Sequence, residues 1–240
     1  KFLKKSNITL LVTATTTSVS PAEHIMFMIL NISKGIDLYD KAVRDGKFDS
    51  IMHMKNNNNF ELANKKFLII GFGRIGRKLI KRCLGFEMKV YAYDPFVDQK
   101  TIESLGGIKV NDLHDGLKEA DILSLSVPLT EKTHNMINLE KMKIMKKSSV
   151  IINISRGSVV NEKDLNKALN EGIIYGAGLD VFEKEPPDDN NPLLKNKRIV
   201  LSPHAATFTN ECLSNMSIET VQNVIDFFEN KLNKSMIVKL

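Results

Sequence analysis

The chain has 240 residues, 42% of them hydrophobic and 26% charged, with a formal net charge of +6. That make-up suits one large domain, or one domain and part of another, with a substantial core. No run approaches the ~20 apolar residues that span a bilayer. The two cysteines, Cys83 and Cys212, form no CxxC pair, which fits a reducing cytoplasm rather than a disulfide scaffold. The basic excess is dispersed: 28 of the 34 cationic residues are Lys, in a chain that also holds 22 Asn, so no nucleic-acid partner is expected.

In chain order, the first candidate element is a strand at Ile8–Val12. Lys1, Lys4 and Lys5 precede it, but the apolar run is short, Thr-rich and without a cleavage site, so it is not read as a signal peptide. One strand cannot bury itself, so further structure on its N-terminal side is expected. Ser20-Pro21-Ala22-Glu23 spells a capping box with Pro at the first helical position. Behind it Ile25, Ile29, Ile32, Ile36, Tyr39 and Val43 recur at steps of four and three, which predicts one long helix with a buried face, ending near Gly46. Met26, Phe27, Met28 and Leu30 make its first half apolar all round. Asn56–Asn59 marks a flexible loop.

From Lys66 to His204 short apolar runs alternate with amphipathic stretches. The strand candidates are Phe67–Ile70, Lys89–Tyr93, Ile108–Val110, Ile122–Val127, Val150–Ile154, Tyr175–Val181 and Ile199–Leu201. Helices are predicted at Arg74–Leu84, Leu113–Ala120 and Glu162–Glu171. Strands without polar alternation, separated by helices, imply a parallel sheet covered on both faces, an α/β doubly wound fold. A final helix, about Thr209–Lys231, and a terminal strand at Met236–Val238 follow.

Within that pattern Gly71-Phe72-Gly73-Arg74-Ile75-Gly76 follows a strand and opens a helix, and Asp94 closes the next strand 18 residues after Gly76. The spacing is that of a dinucleotide site. Glycines permit a tight turn and close backbone approach to pyrophosphate, and a carboxylate accepts hydrogen bonds from ribose hydroxyls. A 2′-phosphate beside Asp94 would meet like charge, which points to NAD rather than NADP. Arg156, in Asn153-Ile154-Ser155-Arg156-Gly157, follows a buried strand, where its planar fork suits a carboxylate or a polarised carbonyl. On local spacing alone it could equally be a structural Arg paired with an acid. Glu185 and His204 also follow strand candidates, and a carboxylate beside such a His would orient the ring and favour the imidazolium. His24, His53, His114 and His134 are read as structural, and no His/Cys cluster has metal-ligand spacing, so no metal site is expected.

Taken together, the ordered set resembles the D-isomer-specific 2-hydroxyacid dehydrogenase family. Its pieces are Ala22-Glu23-His24, the glycine turn with Asp94, Val127-Pro128-Leu129-Thr130 with Thr133 and Asn138, Asn153 to Val160, Gly176 to Pro187, and Ser202 to Ala206. The resemblance implies a Rossmann NAD-binding domain with the remnant of a flavodoxin-like substrate domain. Residues 1–20 would be the tail of that substrate domain, 21–205 the NAD-binding domain with its linker helix, and 206–240 a return to the substrate domain. It implies hydride transfer between nicotinamide and a small D-2-hydroxy acid or 2-keto acid, such as 3-phosphoglycerate, hydroxypyruvate, glyoxylate or a lactate-like acid.

Residue by residue, the resemblance implies that Arg156 binds the substrate carboxylate or carbonyl. His204 would be the general acid/base, paired with Glu185. Cofactor contacts would come from Gly71, Gly73, Arg74, Ile75, Gly76, Asp94, Val127, Pro128, Thr133, Ser155, Arg156, Asp180 and His204, with Asp180 and Ser155 nearest the carboxamide. It also implies a cytoplasmic homodimer formed through the nucleotide domain, to which the long helix would contribute. The sequence departs from the family pattern at Asn161, which stands for an Asp, and at Ala205 and Ala206, where a Gly often follows the catalytic His. A sensing protein of the same fold, binding NAD(H) like a corepressor without turnover, is the alternative.

Overall fold

A computed structural model describes the protein over residues 2–13, 15–49 and 59–238. Its centre is a parallel sheet of seven strands: β1 (Lys66–Ile70), β2 (Lys89–Tyr93), β3 (Ile108–Lys109), β4 (Ile122–Leu125), β5 (Val150–Asn153), β6 (Gly176–Leu179) and β7 (Ile199–Leu201). The order across the sheet is β3-β2-β1-β4-β5-β6-β7, and every pairing is parallel. β4, β5 and β6 are buried at every position, as strands covered on both faces must be. The chain winds outward in one direction from β1 and in the other from β4. A crevice therefore opens where these two strands carry their chains apart, at their carboxyl ends.

Two helical layers cover the sheet. On one face lie α2 (Val19–Lys34) and α4 (Arg74–Gly85), whose Ile25, Met28, Ile29, Leu79 and Ile80 are fully buried. Close packing of α2 on the sheet depends on Gly178 in β6, where a Cβ would lie 2.8 Å from Ile152 Cδ1 and 3.0 Å from Met28 Sδ. On the other face α6 (Leu113–Glu119), α7 (Leu139–Ile144) and α8 (Glu162–Asn170) bury Leu117, Met142, Leu165 and Leu169. The doubly wound sheet is thus the one predicted.

Several elements differ from expectation. The long helix is two: α2 ends where Gly35 takes a left-handed conformation (φ 63) and donates its N–H to Asn31 O at 2.7 Å, and α3 (Ile36–Arg44) begins beyond it. The predicted buried face therefore holds only for the first half; Ile36 and Val43 are more than half exposed (51% and 53%). Ser20 does not cap. The helix starts at Val19 after Ser18, and the Ser20 hydroxyl instead donates to Ala206 O at 2.5 Å. Glu23 reaches Arg82 at 2.6 Å.

Ile8–Val12 and Met236–Val238 meet through a single antiparallel bridge, Leu11 with Ile237, rather than as strands. Three short helices were not predicted: α1 (Phe2–Lys5), α5 (Gln99–Glu103) and α7. The last two carry Asp98 and Asn138 caps that could have announced them. The final helix α9 runs Asn210–Phe228, and the Thr209 hydroxyl oxygen accepts from Cys212 N–H at 3.2 Å. Asn56–Asn58 and His53 lie outside the described residues.

Candidate active site

The β1–α4 turn shows what each glycine does. Gly71 has φ +93, and a Cβ on it would sit 2.5 Å from Ser126 O and 2.9 Å from Val127 Cγ1. A Cβ on Gly76 would sit 2.7 Å from Gly71 O. These two positions are closed to any side chain by the protein itself. Gly73, which precedes α4, has nothing within 4 Å of its Cβ direction, so the space there is open to a ligand. The first N–H groups of α4, among them those of Arg74 and Ile75, face that opening with the positive end of the helix dipole. Asp94 is held beside it, its carboxylate accepting Phe72 N–H at 2.8 Å and Phe96 N–H at 2.9 Å. Across the crevice, Thr133 donates its hydroxyl to Pro128 O at 2.6 Å and accepts Thr130 N–H at 2.8 Å, closing the loop that follows Val127. An open glycine, free helix amides and a fixed acid suit the pyrophosphate and ribose of a dinucleotide.

The second group lies past β5, β6 and β7. The Asn153 side chain turns the chain at the end of β5: its Oδ1 accepts from Ser155 N–H (3.0 Å) and Ser155 Oγ (2.8 Å), and its Nδ2 donates to Arg156 O (2.9 Å). Gly157 follows because a Cβ there would overlap Phe182 C at 1.8 Å. This contact brings the exposed Arg156 near the Phe182–Glu185 loop. Glu185 accepts Phe182 N–H at 3.0 Å through Oε1 and meets His204 Nδ1 at 2.7 Å through Oε2. Burial pushes the Glu185 carboxyl up, but the hydrogen bonds from His204 and Phe182 and the charges of His204 and Arg156 outweigh it, leaving it below the usual carboxylate value. A groove of about 460 Å³ runs beside the pair, lined among others by Phe182, Pro187, Leu194 and Leu201. With Nδ1 engaged by Glu185, the other ring nitrogen, Nε2, is the one left for proton transfer.

Residues 26–206 match the family model for the NAD-binding domain of D-isomer specific 2-hydroxyacid dehydrogenases. The chain belongs to this family. It carries the family's NAD-binding domain, and its cofactor is NAD. It is 36% identical over 216 residues to a glyoxylate reductase of Korarchaeum cryptofilum, covering 90% of this chain and 65% of the relative. It is 39% identical over 194 residues to a D-3-phosphoglycerate dehydrogenase of Methanocaldococcus jannaschii, covering 81% of this chain and 36% of the relative. A crystal structure of D-lactate dehydrogenase from Aquifex aeolicus with NAD and lactic acid matches with a TM-score of 0.87 at 32% identity, covering 99% of this chain and 75% of the other. The chain therefore spans from about a third to about two thirds of the length of the curated relatives named here.

In this 2-hydroxyacid dehydrogenase domain the structure brings Arg156, Glu185 and His204 to one end of the sheet and the glycine turn with Asp94 to the crevice on the same side. Asp180 lies behind them, fully buried, its carboxylate taken up by the protein's own donors: Ser202 Oγ (2.5 Å), Ala205 N–H (2.8 Å) and Ala206 N–H (2.9 Å). Ser155 is buried beside Asn153. Sequence reasoning quoted Asn153, Ser202 and His24 within motifs, and read His24 as structural, but gave none of them a role at this end; His24 Nε2 lies 2.8 Å from Ser202 Oγ. His24 sits on α2, over 150 residues before its partners, so no local spacing could reveal it. His114 and His134 are exposed. Among the described residues, no group of three or more His, Cys, Asp or Glu side chains could hold a metal ion, and no helix is long and apolar enough to cross a membrane.

Proposed function

We propose that this chain is the nucleotide-binding and proton-transfer part of an NAD-dependent dehydrogenase acting on a small D-2-hydroxy acid or its 2-keto partner. The observation that carries it is the Glu185–His204 pair at 2.7 Å, set beside Arg156 at the carboxyl edge of the sheet. NAD supplies or accepts the hydride when bound. Arg156 holds the substrate carboxylate and polarises the carbonyl, and His204 donates through Nε2 the proton that the new alkoxide takes up. Glu185 keeps the ring oriented and balances its charge. Glyoxylate and hydroxypyruvate are the substrates to test first, since relatives carry those names.

Asp94 makes NAD(H) the preferred dinucleotide. Gly71, Gly73, Arg74, Ile75 and Gly76 meet the pyrophosphate, Val127, Pro128 and Thr133 flank the nicotinamide ribose, and Ser155 and Asp180 border the carboxamide. The protein assembles as a homodimer through α2. Phe27, Leu30, Ile36 and Phe86 line an apolar groove of about 710 Å³ there, with Phe27 52% exposed, and an apolar face of that kind calls for a partner. A monomeric mass by light scattering at micromolar concentration would refute the dimer. The reaction itself is tested by NADH fluorescence titration followed by a panel of 2-keto acids with NADH absorbance as readout. Turnover supports the reading; tight NADH binding without turnover of any 2-keto acid would favour a sensing protein instead.

A further inference from the structure

His204 sits in a conformation that a non-glycine residue adopts only when its surroundings hold it there, with φ 55. What holds it is Asp180. The Asp180 carbonyl accepts His204 N–H at 2.8 Å, and its carboxylate accepts the next two amides, those of Ala205 and Ala206. The carboxylate takes a third bond from Ser202 Oγ at 2.5 Å. A serine hydroxyl has one proton, and at that distance from a carboxylate the proton lies between Ser202 and Asp180. The Ser202 oxygen must then accept from its other neighbour, His24 Nε2, at 2.8 Å. His24 is therefore the tautomer that carries its proton on Nε2. Burial holds its pKa below the ordinary value despite the attraction of Asp180 3.6 Å away, so the ring is neutral near pH 7.

We propose that His24 is a positioning residue for the proton-transfer step: its Nε2–H orients Ser202, Ser202 orients Asp180, and Asp180 locks the left-handed turn that presents His204 to Glu185. The consequence for turnover rests on the dehydrogenase reading above. The arrangement also ties helix α2 to the reacting end of the sheet, since His24 on α2 reaches Ser202 just past β7.

Two variants separate this role from mere filling of space. His24→Leu keeps bulk and loses the donor, whereas His24→Gln carries an N–H close to the position of Nε2. Amide hydrogen exchange is read at Ala205 and Ala206, with Leu123 and Leu125 of β4 as internal controls for global stability. Exchange at Ala205 and Ala206 is expected to quicken about tenfold in His24→Leu, the scale of one hydrogen bond, and to stay within about threefold of native in His24→Gln, with the β4 amides unchanged. Long-range proton–nitrogen spectra of the native protein should show the His24 proton on Nε2 at neutral pH. In turnover with NADH and a 2-keto acid, kcat should fall about tenfold in His24→Leu with KM for NADH unchanged, and His24→Gln should restore it. Native exchange at Ala205 and Ala206 in a folded His24→Leu protein, equal effects of Leu and Gln, or the proton on Nδ1 would each overturn the proposal. If the native protein reduces no 2-keto acid, the dehydrogenase reading fails, and the exchange measurements still decide the role of His24.

Discussion

The two ends of the crevice are built by opposite means. At the nucleotide end the decisive residues are those that lack a side chain: Gly71 and Gly76 because backbone atoms stand within 3 Å of any Cβ, Gly73 because space is left open. At the proton-transfer end the decisive residues are polar side chains that satisfy one another, in two connected sets: Arg156, Glu185 and His204 in front, and His24, Ser202 and Asp180 behind. A site made by removing atoms depends on a few adjacent positions. A site made by hydrogen bonds draws on α2 and the ends of β5, β6 and β7 at once.

The comparison breaks most sharply under substitution of single groups. His204→Ala removes the proton donor, and kcat for 2-keto acid reduction is expected to fall by about 100-fold or more, the usual scale for general acid–base catalysis. NADH affinity should change far less, since the glycine turn and Asp94 are untouched. A loss confined to KM for NADH would place His204 with the nucleotide and not with the proton. At the other end, Asp94 sets cofactor choice: a 2′-phosphate beside its carboxylate meets repulsion worth a few kcal/mol, or on the order of 100-fold in affinity. Comparable dissociation constants for NADH and NADPH by fluorescence titration would refute this role.

A smaller effect sharpens the reading of the glycines themselves. Gly76→Ala forces a methyl against Gly71 O and should cost roughly 1–3 kcal/mol of stability, seen as a lower urea midpoint. Gly73→Ala meets no protein atom within 4 Å, so stability should stay within about 0.5 kcal/mol while NADH binding weakens. Equal stability losses in the two variants would show that Gly73 also serves packing.

The same contrast explains what was legible in the sequence. The glycine turn, Asp94 and the alternation of apolar runs with helices were readable because each is local. Strand spacing follows from burial on both faces, and Gly71 and Gly76 could be nothing else. The long helix was misread because apolar periodicity continues through Gly35, and periodicity cannot register one left-handed residue that redirects the chain. The Ser20 cap was misread because its hydroxyl is taken by a long-range acceptor, Ala206 O, instead of accepting a local backbone N–H. The apolar stripe of α9 predicts cover that the described residues do not supply: Ile218, Val221 and Phe228 are 61–76% exposed. His24 was out of reach because its partners belong to another part of the chain.

The smallest expected effect is a pH dependence at the proton-transfer end. Glu185 ionises below its ordinary value of 4.5, because the hydrogen bonds from His204 and Phe182 and the neighbouring positive charges outweigh the burial that opposes them. A carboxyl whose folded value is depressed contributes stability that is fully present above its unfolded value and is lost as pH falls through the folded one. The contribution of Glu185 should therefore be constant from pH 6 to about pH 5 and shrink below about pH 4.5. Glu185 is partly exposed, so solvent screens the gain and the change is modest. Urea denaturation of the native protein and Glu185→Gln, compared at steps from about pH 6 to pH 3, isolates it, because other titrating groups are common to both. The difference between the two should narrow toward acid. A difference that stays flat across the range would mean that His204 does not hold Glu185 as a carboxylate. Asp94→Asn serves as the reference from the nucleotide end: among the described residues its carboxylate is held by the backbone amides of Phe72 and Phe96. If the narrowing tracks a charge-assisted side-chain pair, it should be lost when His204 is replaced in the same background, whereas the Asp94→Asn difference should be indifferent to that replacement.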